Sequence, residues 1–224
     1  RVNAGVIVLA SAGHAVVGRL ATGTVAERVT RHAEQPVLLI RLTDTMIGVS
    51  PPPPARLIVP LDGSDLAAQA LPVAQELASR LQLPVHLITV IDPEEIGAPV
   101  VAYEATTSPE IWQELFASAR LEVQVHLERL CSSLTAAGIT SDWEIVEGRV
   151  AQAILERCQP GDLLVMTTRG RSGARLWRIG SIADKIIRYP VVPVLVLPVR
   201  EVRETVVPVV DELPAWPRHG EYRN

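Results

Sequence analysis

The sequence predicts a doubly wound α/β fold with a five-stranded parallel sheet, preceded by a partial β-α-β copy of the same fold. Three observations carry that expectation. Short apolar runs alternate with amphipathic stretches from Arg56 to Leu197, and such alternation implies right-handed βαβ crossovers. Hydrophobic residues make up 48% of the chain and aromatics only 4%, an aliphatic palette suited to parallel strands covered on both faces. A segment near the start also repeats one near the end.

Residues 56–61 form the first apolar run of the complete unit. Leu66, Ala70, Val73, Ala74, Leu77 and Leu81 then recur at helical spacing and predict a helix from Leu66 to Leu81. Val85 to Ile91 reads as the second strand. A long helix follows from Pro109 to Ala137, with Ser108 as its N-cap and Gly138 as its stop. Trp143 to Val146 is a short strand and Ala151 to Cys158 a short helix. The pattern closes with a strand at Asp162 to Thr167, a helix at Ser181 to Arg188 and a strand at Val194 to Leu197. Ligands in such sheets sit beyond the carboxyl ends of the strands, where the strand order reverses.

Four consecutive prolines at 51–54, after a turn-prone stretch from Thr43, read as a semi-rigid linker. The organisation is therefore a partial unit at 1–42, a Pro-rich linker at 43–55, a complete unit at 56–198 and a tail at 199–224. Pro208, Pro214 and Pro217 punctuate that tail, in which Val206 to Val210 is a candidate edge strand. The chain begins Arg1-Val2-Asn3, and Arg1 is expected not to be the native start.

The repeat is the strongest organisational signal. Val6 to Gly13 parallels Leu163 to Gly170, Gly23 to Arg28 parallels Gly180 to Lys185, and Gln35 to Ile40 parallels Val192 to Leu197. Nine residues separate the paired glycines in each copy, and the register holds without a gap. Residues 1–42 thus match the last strand, loop, helix and strand of the complete unit.

Bulk properties exclude several functions. The net charge of −4 gives no general pull toward nucleic acid. No apolar run approaches the length of a membrane span, and no segment resembles a signal peptide. Cys131 and Cys158 lack CxxC spacing and read as buried free thiols, as expected in a reducing cytoplasm. No His, Cys or carboxylate cluster has metal-site spacing, so no metal ligand is expected from the protein.

Residues 166–181 carry the functional expectation. A strand ends at Met166 or Thr167, a loop rich in Gly, Ser and Arg follows, and a helix opens at Gly180-Ser181. Small residues let backbone approach a ligand, and free amides at a helix N-terminus bind anions. Arg169 and Arg171 add positive charge beside that cradle. Ser181 serves either a phosphate or the helix cap. No Lys-Ser/Thr pair follows at Walker A spacing, so this is not an ordinary P-loop.

The strand followed by G-x2-G-x9-G-[ST] resembles the ATP-binding loop of the universal stress proteins from Met166 to Leu197. Gly170, Gly180 and Ser181 match, while Thr167 stands where the pattern has its first glycine. Upstream, Gly13, Gly23 and Thr24 match and Ala10 takes that first position. Val59 to Ser64 resembles the family's first strand and its acidic residue, Thr89 to Asp92 the end of its second strand, and Gly148 with Ile154 the stretch leading to the short helix. The likeness spans roughly 55–198, about one ordinary domain.

It implies a Rossmann-like, adenine nucleotide α-hydrolase-like fold that binds ATP, with any Mg arriving with the nucleotide. Asp62 and Val90 would line the adenine and ribose side, and the loop at Gly170 with the helix start at Gly180-Ser181 would hold the phosphates. Pro60, Leu61, Met166, Thr167, Arg169, Arg171 and Ile182 would complete the nucleotide-binding set. The resemblance also implies a homodimer or pseudo-dimer through last-strand pairing, with Val37 to Ile40 able to pair with Val194 to Leu197. The expected role is a nucleotide-dependent regulatory or protective module in stress response, with slow or no hydrolysis. The alternatives are a nucleotide-free dimeric scaffold and a nucleotide-using enzyme on the same fold.

Several of these residues have plainer readings. Asp62 serves either a ligand or the turn before Leu66, and Thr167 either the ligand or the strand alone. Arg169, Arg171 and Arg175 read by default as a solvated face, with a phosphate role strongest at Arg171. His86 reads as structural, His126 as a surface residue, and Trp112, Trp143 and Trp177 as packing or interface residues.

Overall fold

The structure, a computed structural model, describes residues 5–12, 14–16, 19–21, 24–42, 52–93, 109–169 and 179–199. The expectations for Ser108, for linker residues 43–51 and for Val206 to Val210 lie outside the described residues.

In chain order the elements are β1 (Ile7–Ala12), β2 (His14–Val16), β3 (Arg19–Ala21), α1 (Thr24–His32) and β4 (Val37–Leu42). After the linker come β5 (Arg56–Pro60), α2 (Asp65–Ala68), α3 (Ala70–Leu81), β6 (Val85–Ile91) and α4 (Pro109–Ala136). The chain continues through β7 (Ser141–Glu147), α5 (Val150–Arg157), β8 (Asp162–Thr167), α6 (Ser181–Arg188) and β9 (Val194–Leu197). Two details differ from expectation. The helix predicted from Leu66 to Leu81 is two helices meeting at Gln69, and the stretch between β1 and α1 holds the antiparallel pair β2–β3.

Seven strands form one sheet in the order β1-β4-β9-β8-β5-β6-β7. The five strands β5 to β9 of the complete unit are parallel, as the alternating pattern predicts. Their order reverses between β5 and β8. From there the chain winds one way through β6 and β7 and the other way to β9.

Successive strand residues face opposite layers. Leu57, Val59, Leu87, Leu163 and Val165 pack against α3 and α4 through Val73, Ala74, Leu77, Leu127 and Leu134. Ile58, Ile88, Leu164, Met166 and Val196 pack the other way, against Ile154 of α5 and Ala183, Ile186 and Ile187 of α6. Each fully buried aliphatic side chain stabilises the fold by about 1.5–3 kcal/mol. Gly138, at φ +78°, ends α4 in the left-handed conformation that side chains resist, and the Ile139 amide donates back to the Leu134 carbonyl at 3.0 Å.

At the end of the sheet opposite the carboxyl termini, Arg56 grips Asp162 with two parallel bonds of 2.9 and 2.8 Å. Asp162 is buried and also accepts the Gln159 amide at 2.7 Å. The hydrogen bond to Asp162 raises the Arg56 pKa above its ordinary value. The pair locks β5 to β8 on the side away from the switch point.

The partial copy joins the sheet through β4, antiparallel to β9. Leu38 pairs with Leu195, Val37 with Val196 and Leu39 with Val194. Leu38 and Leu195 are equivalent positions of the repeat, so exchanging the copies reproduces the pairing and a local two-fold axis runs between them. The last-strand pairing is therefore made within one chain.

The helices beside these strands obey the same symmetry. Arg31 of α1 donates to Glu27 at 2.7 Å and to Asp184 of α6. Arg188 of α6 donates to Glu27 at 2.9 Å and to Asp184 at 3.2 Å. Glu27 and Asp184 are repeat equivalents, as are Arg31 and Arg188. Each arginine thus pairs with the acid of its own helix and with that of the other copy. Both layers of this seam, paired strands and crossed ion pairs, fix one register.

Candidate functional site

At the switch point the carboxyl ends of β5, β6 and β8 open into a cleft of about 210 Å³. Pro60, Leu61 and Asp62 line it from the end of β5, and Val90 from the end of β6. Met166, Thr167 and Arg169 line it from β8 and the turn beyond, and Gly180, Ser181 and Ile182 from the start of α6. Ten of the sequence-derived site residues are thereby brought to one cavity. Gly170, Arg171, Arg175 and Trp177, with Gly13 and Gly23 upstream, lie outside the described residues. Thr24 opens α1, away from this cleft.

Asp62 closes a turn. Its Oδ1 accepts the Ser64 amide at 3.0 Å and the Ser64 hydroxyl at 2.6 Å. Ser64 in turn caps α2, its Oγ accepting the Ala67 amide at 3.1 Å. Gly63 between them has φ +79°, which favours glycine there. The turn reading of Asp62 thus holds geometrically, and the same turn sets the residue at the cleft.

Thr167 is buried at the end of β8, and its hydroxyl donates to the Arg169 carbonyl at 2.6 Å. Its side chain ties the turn that carries Arg169. Thr168 makes the next ties: its amide donates to the Leu197 carbonyl at 2.8 Å, and its carbonyl accepts the Gly180 amide at 2.7 Å. These bonds hold the start of α6 against the end of β8.

Gly180 is the N-cap position of α6, in extended conformation with no side-chain cap bond. Ser181 is the first helical residue, so its capping role is not adopted. The first helical bond runs from the Asp184 amide to the Gly180 carbonyl at 2.9 Å. The amides of Ser181, Ile182 and Ala183 precede it and have no partner within the helix. All three residues line the cleft. Among the described residues, a Cβ placed on Gly180 would come no closer than 3.6 Å, at the Thr168 carbonyl oxygen, so their packing does not demand glycine there.

Arg169 supplies the remaining polar feature. Its Nε is buried and has no hydrogen-bond partner among the described residues. A buried N–H without an acceptor costs about 1–3 kcal/mol. An oxyanion beside it removes that cost.

Other cleft residues were not assigned to the site from sequence. Thr89, Ile91 and Asp92 flank Val90 at the end of β6, and their adjacency to it was the available signal. Ala119 and Val123 of α4 and Val150 and Ile154 of α5 complete the apolar walls. Nothing in a long amphipathic helix marks which turn reaches the site.

Away from the cleft, His86 is buried with Nδ1 2.7 Å from Asp142 Oδ1, a cross-strand pair consistent with its structural reading. His126 is exposed, and Trp143 packs against the core. Cys131 and Cys158 are free and half-buried, and burial pushes the Cys158 thiol up to about 12. Among the described residues no group of His, Cys, Asp or Glu is arranged to hold a metal ion. No described helix is long and apolar enough to cross a membrane.

A doubly wound sheet with a cleft and a helix start at its switch point defines a class of Rossmann-like α/β domain. Comparison with known proteins narrows that class. Residues 55–198 match the model of the universal stress protein family, and the chain belongs to that family. It is 31% identical to a universal stress protein of Methanocaldococcus jannaschii over 144 residues, covering 63% of this chain and 81% of the relative. It is 28% identical over 197 residues to a universal stress protein of Mycobacterium tuberculosis, covering 87% of this chain. The chain spans 62% of that relative's length.

Among solved structures, the hypothetical protein MJ0577 superposes with a TM-score of 0.56 at 23% identity, covering 65% of this chain and 96% of that one. A universal stress protein from Archaeoglobus fulgidus gives 0.54 at 22% identity, covering 88% of this chain and 63% of that one. These likenesses establish the fold.

Proposed function

We propose that the chain binds an adenine nucleotide, ATP by its loop motif, and acts as a nucleotide-dependent regulatory or protective module in stress response. The observation that carries this reading is the polar wall of the cleft. The first turn of α6, with its unpaired helix-start amides, and Arg169 line it together with Asp62 and Val90. These groups fit phosphate oxygens, and the apolar walls fit a purine. The enclosed room is below the roughly 300–1,000 Å³ typical of sites that swallow a whole ligand. It suits the base and sugar, with the phosphates leading out over the start of α6. Mg, if it takes part, arrives with the nucleotide.

Hydrolysis is proposed to be slow or absent. Fast phosphoryl transfer needs a positioned water, a base and charge stabilisation around the transferring group. Asp62 is committed to Ser64, and Asp92 is the other carboxylate lining the cleft among the described residues. Family membership supports the stress-response role, with the organism's cytoplasm as the proposed setting.

The test is mass spectrometry of nucleotide released from the denatured protein, with calorimetric titration of Mg-ATP into wild type and Gly180→Val. Adenine nucleotide bound by wild type and lost in Gly180→Val is the expected result. No binding at millimolar ATP would overturn it in favour of the scaffold. Robust turnover abolished by Asp92→Asn with binding retained would favour the enzyme.

A further inference from the structure

The seam between the two copies has two ends related by the local two-fold, and they differ. At one end Arg41 of β4 donates from Nη1 to the Pro190 carbonyl at 3.1 Å. At the other end the equivalent of Arg41 is Pro198, which has no side chain to reach across, and the equivalent of Pro190 is Ala33. There a cavity of about 430 Å³ lies between the copies. Thr30, Arg31 and Glu34 line it from the first copy, and Thr168, Arg169 and Pro198 from the second.

Charge and hydrogen-bonding capacity give this cavity a chemical preference. Arg31 is balanced by Glu27 and Asp184, whereas Arg169 has no ion pair among the described residues. Arg169 stands in the wall shared with the cleft at the switch point, lining both spaces, and its Nε is buried without an acceptor among the described residues. The Thr168 hydroxyl oxygen accepts the Val199 amide at 3.2 Å, which leaves its own proton to donate. A guanidinium fork flanked by a hydroxyl donor matches an oxyanion.

We propose that the seam cavity is a second binding site, for a small oxyanion of the phosphate or carboxylate class, held chiefly by Arg169. Glu34 is exposed at this cavity and opposes the ligand's charge, which tunes affinity downward. One arginine cannot fully serve both spaces, so an oxyanion in the seam competes with phosphates in the cleft for Arg169.

Inorganic phosphate titrated into the full chain and followed by ³¹P line broadening tests the proposal. Saturable binding is expected to persist in Gly180→Val, whose Cβ meets the Thr168 carbonyl oxygen and the Arg169 Cα only at ordinary contact distances of 3.6 and 3.8 Å. Ala33→Phe, which crowds the seam cavity, is expected to weaken it by about tenfold or more, as displacement from the Arg169 guanidinium would. Glu34→Gln removes an opposing exposed charge and is expected to tighten it about two- to fivefold. Circular dichroism checks the fold of Ala33→Phe, and the Glu34→Gln arm stands without it. Saturation lost in Gly180→Val but kept in Ala33→Phe would put the phosphate in the cleft and overturn the seam site. Absence of saturable binding would overturn it too. Phosphate binding tightened by Glu34→Gln in a protein that takes no ATP would uphold the seam site while the nucleotide reading fell.

Discussion

The two copies of the strand–helix–strand unit agree where they meet and differ where a ligand would sit. Glu27 and Arg31 on α1 recur as Asp184 and Arg188 on α6, and Leu38 recurs as Leu195 at the axis. At the loop end, Thr167 and Arg169 are answered by Ala10 and Ala12, so the turn tie and the cation are both missing from the first copy. Nor do residues 5–42 contain counterparts of β5 and β6, which carry Asp62 and Val90 to the cleft. Pairing chemistry tolerates little change because each group must satisfy a partner in the other copy. Cleft chemistry answers only to a ligand and is free to be lost from one copy. Residues 5–42 thus contribute the seam, and residues 52–199 contribute the cleft.

If the copies share one core, truncating either side of the seam should unfold both together. Leu39 is fully buried in the same cluster as Ile58 and Val196. Leu39→Ala is expected to cost about 2–5 kcal/mol in chemical denaturation, within a single transition. Its repeat equivalent Val196→Ala should cost about 2 kcal/mol by the same measurement. Two separate transitions would break the picture of one shared core.

The crossed ion pairs give a smaller and sharper test. A double-mutant cycle on Glu27→Gln and Arg188→Gln should return a coupling of about 0.5–1 kcal/mol that shrinks with salt. The mirror pair Arg31 and Asp184 should return a similar value. Unequal couplings would show that the two-fold does not extend to the energetics.

The smallest effect is a reactivity difference between the layers. Cys158 packs in the layer that includes α6, and Cys131 in the opposite layer. Burial raises both thiols, Cys158 to about 12. A thiol raised on folding contributes its stability below the unfolded pKa and loses it as pH climbs through the folded one, here from about 9 toward 12. At pH 8 iodoacetamide should therefore modify Cys131 before Cys158. Arg188→Gln should speed modification of Cys158 about threefold by loosening the seam layer, and leave Cys131 unchanged. Equal acceleration at both would mean that the layers open together.

The parallel strands β5, β6, β8 and β9 were legible because each is a short, mostly aliphatic run between turn residues, while only the Trp143 to Val146 centre of the more polar β7 was read. Gly138 was legible as a helix stop for the same local reason. The break at Gln69 was not, since apolar spacing passes through it undisturbed and only the backbone turns. Glu27 and Arg31 lie four residues apart and read as an ordinary helical pair. Their partners Asp184 and Arg188 come within reach only when β4 docks on β9, a long-range event with no local trace. Gly180 and Asp62 of the cleft announced themselves through their likeness to a known motif. The hydroxyl tie from Thr167 and the orphaned Nε of Arg169 depend on how one turn folds back, which residue identity alone does not specify.

Antiparallel docking of β4 on β9 has a consequence for concentration. A seam joining two separate chains loosens on dilution, because each half must find the other again. Here both halves hang on one covalent thread, and short tethers of this kind hold their ends at an effective concentration in the millimolar range. The pairing of Leu38 with Leu195 should therefore persist unchanged in a single molecule at any abundance the cell maintains.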